Sequence, residues 1–171
     1  MKHKVSIIYS WFVRTLLYFL PNIPIIMRFR GFLYSILMKK CGVNFQVASN
    51  VYFGPLNGLV VGDNVYIAPN NVIIALDLEI GNNVIIGPNC VISGGNHLFD
   101  GSSFRFLKSL SSKVIVHEGC WIAGNCTIVA GSVLPKFSLL AGGAVLTKNF
   151  ELEMGIYGGV PAKFIKNHST T

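Results

Sequence analysis

The sequence predicts an all-β solenoid, a coil with three flat faces, preceded by an α-helical apolar segment. Three observations predict it. Aliphatic side chains recur every six residues over most of the chain. That period breaks once, between residues 94 and 113. Residues 1–42, ahead of the repeat, carry basic charges only. These observations divide the chain into a helical, basic segment at 1–42, a repeat body at 43–150 with a loop insertion at 94–113, and a C-terminal segment and tail at 151–171. A length of 171 residues suits a single core.

The first segment is defined by its charges. Residues 1–42 hold Lys2, Lys4, Arg14, Arg28, Arg30, Lys39 and Lys40 and no Asp or Glu, so the whole formal excess of +7 lies there. The apolar runs are short. Val5–Leu20 contains Arg14 and stops at Pro21, Ile23–Met27 leads into Arg28 and Arg30, and Phe32–Met38 ends at Lys39-Lys40. None reaches the roughly 20 apolar residues of a membrane-spanning helix, and Phe19-Leu20-Pro21-Asn22 is a poor signal-peptidase site. Two short helices broken near Pro21–Pro24 are expected. Their aromatic side chains and purely basic charge suit an anionic membrane surface; packing on the β-body or on a neighbouring subunit is the alternative. Nucleic acid is disfavoured as a partner, because the cations are interleaved with bulky aliphatics.

The repeat comes next. Aliphatics stand at Val61, Ile67 and Ile73, then at Ile80, Ile86 and Ile92 after one inserted residue. They return at Val116, Ile122, Ile128, Leu134, Leu140 and Leu146. A weaker copy precedes them at Val47–Val51 and Phe53-Gly54. Small residues follow many of these positions, as at Gly62, Ala68, Gly81, Gly87 and Ala123. A period of six fits neither a 3.6-residue helix nor a hairpin ladder. It fits stacked turns, each face one short strand and a bend, burying a continuous core.

Composition agrees. Hydrophobic residues are 51% and charged residues 12% of the chain, against about 25% charged in ordinary soluble domains. Such a chain hides surface between subunits or at a membrane. Cys41, Cys90, Cys120 and Cys126 form no CxxC pair and no zinc spacing, so buried free thiols in a reducing cytoplasm are expected.

The break is the candidate site. Gly94-Gly95-Asn96-His97 opens a loop that runs through Phe104, Arg105, Phe106 and Lys108 before the period resumes at Val116. Insertions in a solenoid become loops, and loops carry function. His97 stands at the loop's root behind two glycines, and an imidazole is a suitable general base near neutral pH. Asp100, before Gly101, could orient His97, bind an acceptor or merely form a turn. His117 reads as structural or surface.

With these residues the sequence resembles the hexapeptide-repeat acyltransferases over about residues 43–166, nearest to the sugar and xenobiotic O-acetyltransferases and those acting on bacterial surface polysaccharide. Ile92-Ser93-Gly94-Gly95-Asn96-His97 matches their catalytic segment, Trp121-Ile122-Ala123-Gly124 their tryptophan segment, Ala141–Lys148 a coenzyme-groove segment and Gly158–Lys166 their G-x-P-A-K-x-I signature. The resemblance implies a left-handed parallel β-helix, a homotrimer and acetyl-CoA as co-substrate, with no metal. It implies His97 as base, and Trp121, Ala123, Gly142, Thr147, Lys148, Lys163 and Lys166 toward the coenzyme. On the acceptor side it implies Asn71 (or Asn70) and Asp100. The expected reaction is O-acetylation of a sugar or lipid-linked saccharide at the inner face of the cytoplasmic membrane. A xenobiotic acceptor and a non-catalytic membrane-bound scaffold are the alternatives. A zinc site like that of the γ-class carbonic anhydrases would require three histidines, and only His97 and His117 lie in the repeat.

Overall fold

A computed structural model describes residues 2–168. Each turn of the repeat contributes three strands of two to four residues, one per face. The first coil is β1 (Lys40–Cys41), β2 (Gln46–Val47) and β3 (Tyr52–Phe53). The second is β4 (Leu59–Val61), β5 (Tyr66–Ile67) and β6 (Val72–Ile74), and the third is β7 (Leu78–Ile80), β8 (Ile85–Ile86) and β9 (Val91–Ser93). An excursion, β10 (Gly95–Asn96) and β11 (Leu110–Ser111), interrupts it before β12 (Val114–Val116), β13 (Trp121–Ile122) and β14 (Thr127–Ile128). The fifth coil is β15 (Val133–Leu134), β16 (Leu139–Leu140) and β17 (Val145–Leu146), and β18 (Gly155–Gly158) and β19 (Lys163–Asn167) finish the chain.

Strands on one face stack in parallel from coil to coil. The first face is β1-β4-β7-β12-β15, the second β2-β5-β8-β13-β16-β18 and the third β3-β6-β9-β14-β17. Registers hold the aliphatics over one another: Val61 opposite Ile80, Ile80 opposite Val116, Val116 opposite Leu134. All twelve aliphatics of the period are buried, each 0% or 1% exposed.

The corners explain the small residues. A Cβ on Gly81 would lie 2.5 Å from the Glu118 amide nitrogen of the next coil, so only glycine allows adjacent coils their spacing there. Asn44, Asn64 and Asn83 turn one corner with positive φ, which asparagine tolerates. Their carboxamides form a ladder, Asn44 Nδ2 donating to Asn64 Oδ1 at 3.0 Å and Asn64 Nδ2 to Asn83 Oδ1 at 3.0 Å.

The N-terminal segment forms two helices, α1 (Lys2–Leu16) and α2 (Pro24–Ser35), with the break where the prolines fall and Pro24 in the first turn. They pack on the β-body at the open end of the first coil. Ser10 Oγ donates to the Phe53 carbonyl at 2.7 Å, and the Leu56 amide donates to Ser6 Oγ. Arg30 is a cation of this segment that faces inward. It is 1% exposed, and its guanidinium donates to the carbonyls of Leu17, Leu20, Pro21 and Val47 and to Asn22 Oδ1. A cation there meets the free carbonyls at the end of α1, where the helix dipole favours it.

Each helix has a buried face of mixed polarity and an exposed apolar one. On α1, Ser6, Ser10 and Val13 are buried, followed by Leu17 just beyond it, while Val5, Ile8, Phe12 and Leu16 are exposed. On α2, Met27, Arg30, Gly31 and Tyr34 are buried, while Ile25, Phe29 and Phe32 are exposed, with Ile36 continuing the row past its end. Both rows follow helical spacing. The inner rows therefore satisfy the packing alternative, and the outer rows remain uncovered in a single chain.

Candidate functional site

The loop at 94–113 leaves the prism at the edge where the third face gives way to the first, between β9 and β12. Gly94 lies at its root, where a Cβ would come within 2.9 Å of the Ala75 Cβ. The Gly94 carbonyl accepts from Ser111 Oγ and from the Ser112 amide, both at 3.0 Å. β10 and β11 pair antiparallel, Gly95 with Ser111 and Asn96 with Leu110. His97 follows directly and is exposed. Its Nδ1 faces Ser109 Oγ at 3.4 Å. Its Nε2 has no hydrogen-bond partner among the described residues. Ser109 has no repeat position, so nothing in the sequence marks it.

Asp100 accepts at Oδ1 from the amides of Ser102 and Ser103 and from the Ser102 hydroxyl, at 2.8, 2.7 and 2.9 Å. These bonds, the Ser102 amide first, hold its carboxyl below the usual carboxylate range. The turn is what this geometry supplies; no bond joins Asp100 to His97.

Asn71 is the one expected acceptor-side residue that the structure moves elsewhere. It is 1% exposed, and its carboxamide is used on all sides. Nδ2 donates to the Ala68 carbonyl at 2.7 Å and the Gly87 carbonyl at 2.9 Å, and Oδ1 accepts from the Cys90 amide at 3.0 Å. It ties neighbouring coils and has no donor left for a sugar. Asn70, beside it, is at the surface with positive φ and accepts from Asn50 at 2.6 Å.

The residues expected to meet the coenzyme fall into two groups. Trp121 is on the second face, 51% exposed, and with Gly119, Phe137, Ser138, Leu139 and His168 lines a hollow of about 390 Å³. Beside it the corner between the second and third faces runs through Gly87, Ala123, Ala141 and Gly158, linked coil to coil by backbone bonds of 2.7, 2.9 and 2.8 Å. Gly142, exposed, extends this small-residue floor, with Gly124 O the only atom a Cβ there would meet, at 3.5 Å. Lys163 and Lys166 are exposed on β19, which folds back antiparallel on β18 at the end of the same face. Thr147 and Lys148 form the second group. They lie after β17, on the edge that carries His97, with Lys148 Nζ 5.2 Å from the centre of the Phe150 ring.

That division has a geometric consequence. In a three-faced prism the edge between the third and first faces points away from the second face. Within one chain His97, Thr147 and Lys148 therefore cannot converge with Trp121.

The cysteines are free. Cys90, Cys120 and Cys126 are buried, and burial pushes the Cys120 thiol up to about 11. Among the described residues no cluster of three or more His, Cys, Asp or Glu is placed to hold a metal ion.

No family model matches the chain. A curated relative, the mitochondrial gamma carbonic anhydrase 1 of Arabidopsis thaliana, is 28% identical over 63% of this chain and 50% of its own length. The chain thus spans about half the length of the curated relative it matches. Solved structures are similar over nearly all of it. A maltose O-acetyltransferase from Clostridium difficile 630 aligns with a TM-score of 0.86 at 21% identity, over 98% of this chain and 88% of that one. A galactoside acetyltransferase in complex with coenzyme A gives 0.84 at 21%, over 96% and 81%. A hexapeptide-repeat acetyltransferase from Vibrio cholerae, complexed with acetyl coenzyme A, gives 0.81 at 20%, over 98% and 89%. The repeat, the three parallel faces and these likenesses together show that the chain has the left-handed parallel β-helix fold.

Proposed function

We propose that the protein is an acetyl-CoA-dependent sugar O-acetyltransferase with His97 as general base, acting on a bacterial surface polysaccharide or its precursor. The observation that carries this reading is the position of His97, exposed at the root of the long insertion in the repeat, with its Nε2 free of partners among the described residues. The likeness to a maltose O-acetyltransferase and a galactoside acetyltransferase supports the class of reaction.

In this reading Nε2 takes the proton of the acceptor hydroxyl as its oxygen attacks the thioester carbonyl carbon. The C–S bond then breaks, and the departing thiolate recovers that proton from the imidazolium. The products are an acetyl ester and free coenzyme A. The small-residue floor along Ala123 and Gly142 is narrow enough for a pantetheine arm, and Lys163 and Lys166 supply cations for phosphate, as point charges. Thr147 and Lys148 would approach the same coenzyme from a neighbouring copy, which favours a homotrimer in which the His97 edge of one chain meets the Trp121 face of the next. Such an assembly would also cover apolar surface that one chain leaves bare. The N-terminal helices would rest on the inner face of the cytoplasmic membrane. Among the described residues no helix is long and apolar enough to cross it.

His97→Ala tests the reading. It should bind acetyl-CoA as the wild type does, by calorimetry, and lose about 10²–10⁴-fold in kcat with a panel of sugar acceptors. Unchanged turnover would remove His97 from the chemistry. Failure of both proteins to bind acetyl-CoA would remove the transferase and leave the non-catalytic scaffold. Metal analysis of the same preparation would separate this enzyme from the metal-dependent chemistry of the carbonic anhydrase relative.

A further inference from the structure

The segment that presents His97 is an antiparallel ribbon, and its register reaches one step past the paired strands. Gly95 pairs with Ser111 and Asn96 with Leu110. Carried on by one residue, the same register sets His97 opposite Ser109. Side chains directly opposite each other in an antiparallel pair share one face of the ribbon. There His97 Nδ1 and Ser109 Oγ stand 3.4 Å apart. Ser111 lies two residues on from Ser109 and so on the same face. Its hydroxyl donates to the Gly94 carbonyl at 3.0 Å and ties the ribbon to its root. The backbone thus brings the Ser109 hydroxyl to the ring, and a fixed root holds it there.

No other group among the described residues meets Nδ1. Asp100, the carboxylate nearest in sequence, is occupied at Oδ1 by the amides of Ser102 and Ser103 and by the Ser102 hydroxyl. The His97–Ser109 pair lies within one chain, so it does not depend on which surface of a neighbouring copy covers this edge.

A neutral imidazole carries its proton on one nitrogen, and the hydrogen bond made there fixes which one. Left unpaired, the ring favours the proton on Nε2, where no lone pair then remains to act as a base. A serine oxygen can accept as well as donate. With Ser109 Oγ accepting from Nδ1–H, the lone pair falls on Nε2, the nitrogen without a partner among the described residues.

We infer that Ser109 is a positioning residue for the base: its hydroxyl holds His97 in the Nδ1–H tautomer and leaves the Nε2 lone pair directed at the acceptor. The inference rests on the transferase reading and adds to it the group that sets the tautomer of the base. When Nε2 takes the acceptor's proton the ring becomes an imidazolium, and its bond to Ser109 strengthens with the charge. The departing thiolate then removes the Nε2 proton, and the neutral Nδ1–H ring is restored. Ser109 neither gains nor loses a proton. The separation of 3.4 Å is long for a hydrogen bond, and catalytic hydrogen bonds commonly tighten when substrate fills the site.

Nitrogen-15 NMR of the histidine rings in mildly alkaline buffer reads the tautomer directly, and His97→Ala identifies the His97 signals. The wild type is expected in the Nδ1–H form and Ser109→Ala in a mixture dominated by Nε2–H. Ser109→Ala should lose about 3–10-fold in kcat, the worth of one neutral hydrogen bond, with the KM for acetyl-CoA and for the acceptor unchanged. Ser109→Thr keeps the hydroxyl and should restore both tautomer and kcat. Ser109 is exposed, so folding is not at stake. A wild-type ring in the Nε2–H form overturns the inference. So does a tautomer unmoved in Ser109→Ala, whatever its kcat, and so does a kcat unmoved by a tautomer that switches. A switch as expected, with no transfer to any acceptor even by the wild type, supports the pairing and counts against the transferase reading alone.

Discussion

Cys90 and Cys126 occupy matching positions before β9 and β14, where Val91 faces Thr127 and Ile92 faces Ile128. Cys90 Sγ donates to the Ala123 carbonyl and Cys126 Sγ to the Ala141 carbonyl, both at 3.1 Å, and the influence of each thiol on the other draws Cys126 down while Cys90 is pushed up. Reactivity still requires access, and both side chains are fully buried. Ellman's reagent at pH 8 should therefore leave Cys90, Cys120 and Cys126 unmodified in the native protein and titrate them in guanidinium. Asn71→Ala should cost about 2–4 kcal/mol in urea unfolding, because it strands a buried amide and two buried carbonyls. Asp100 titrates below its ordinary range. A depressed carboxylate pKa stabilises its turn above the ordinary value, and that contribution is lost as pH falls through the lowered one. Its carboxyl resonance should show a midpoint under about 3.9, and the 98–110 amides should lose order only below it. At this scale the sequence was least informative. Asn71 and Arg30 look like surface polar residues in a linear reading, because only the stacking of coils and the turn between the helices bring the carbonyls they satisfy into reach.

At the scale of the element, the period did most of the specification. A six-residue repeat fixes which side chain points inward in every coil, so the aliphatics from Val61 to Leu146 could be placed without knowing any contact. The corners follow from the same rule. Gly81→Ala drives a Cβ into the backbone of the following coil and should cost about 1–3 kcal/mol by thermal unfolding. The helices were legible as helices from their proline break, yet their docking was not. The faces that meet protein carry Ser6, Ser10 and Arg30 while apolar rows face outward, so hydropathy alone points to the wrong face. Arg30→Met tests the cap. It should destabilise by about 2–4 kcal/mol, since the carbonyls of Leu20, Pro21 and Val47 lose the donor shown for them and that of Leu17 keeps only the Leu20 amide.

For the molecule as a whole, the faces on which the candidate coenzyme residues fall matter more than their spacing in sequence. Trp121, Ala123, Gly142, Lys163 and Lys166 gather on one side, and His97, Thr147 and Lys148 on another. Sequence motifs name candidate residues but not this partition, which depends on how the three faces close. Sedimentation equilibrium should give a mass near three times 18.7 kDa. A mixture of His97→Ala with Trp121→Ala chains should recover part of the activity that each variant lacks, because some mixed interfaces pair an intact edge with an intact face.

The first coil has a property that reaches past its own stability. Its axial carbonyls, Val47 and Phe53 among them, are met by side chains of α2 and α1 and by no further strand, while β19 folds back over the last coil. Both termini of the stack are thus closed, and the coils between them are interchangeable in shape. The molecule is in effect a ruler graduated in single coils. Duplicating one coil between Leu59 and Asp77 would leave both closures intact and lift the His97 loop about 4.8 Å farther from the helices, so the reach of the base above the helical end can be reset in discrete steps, by coil number alone.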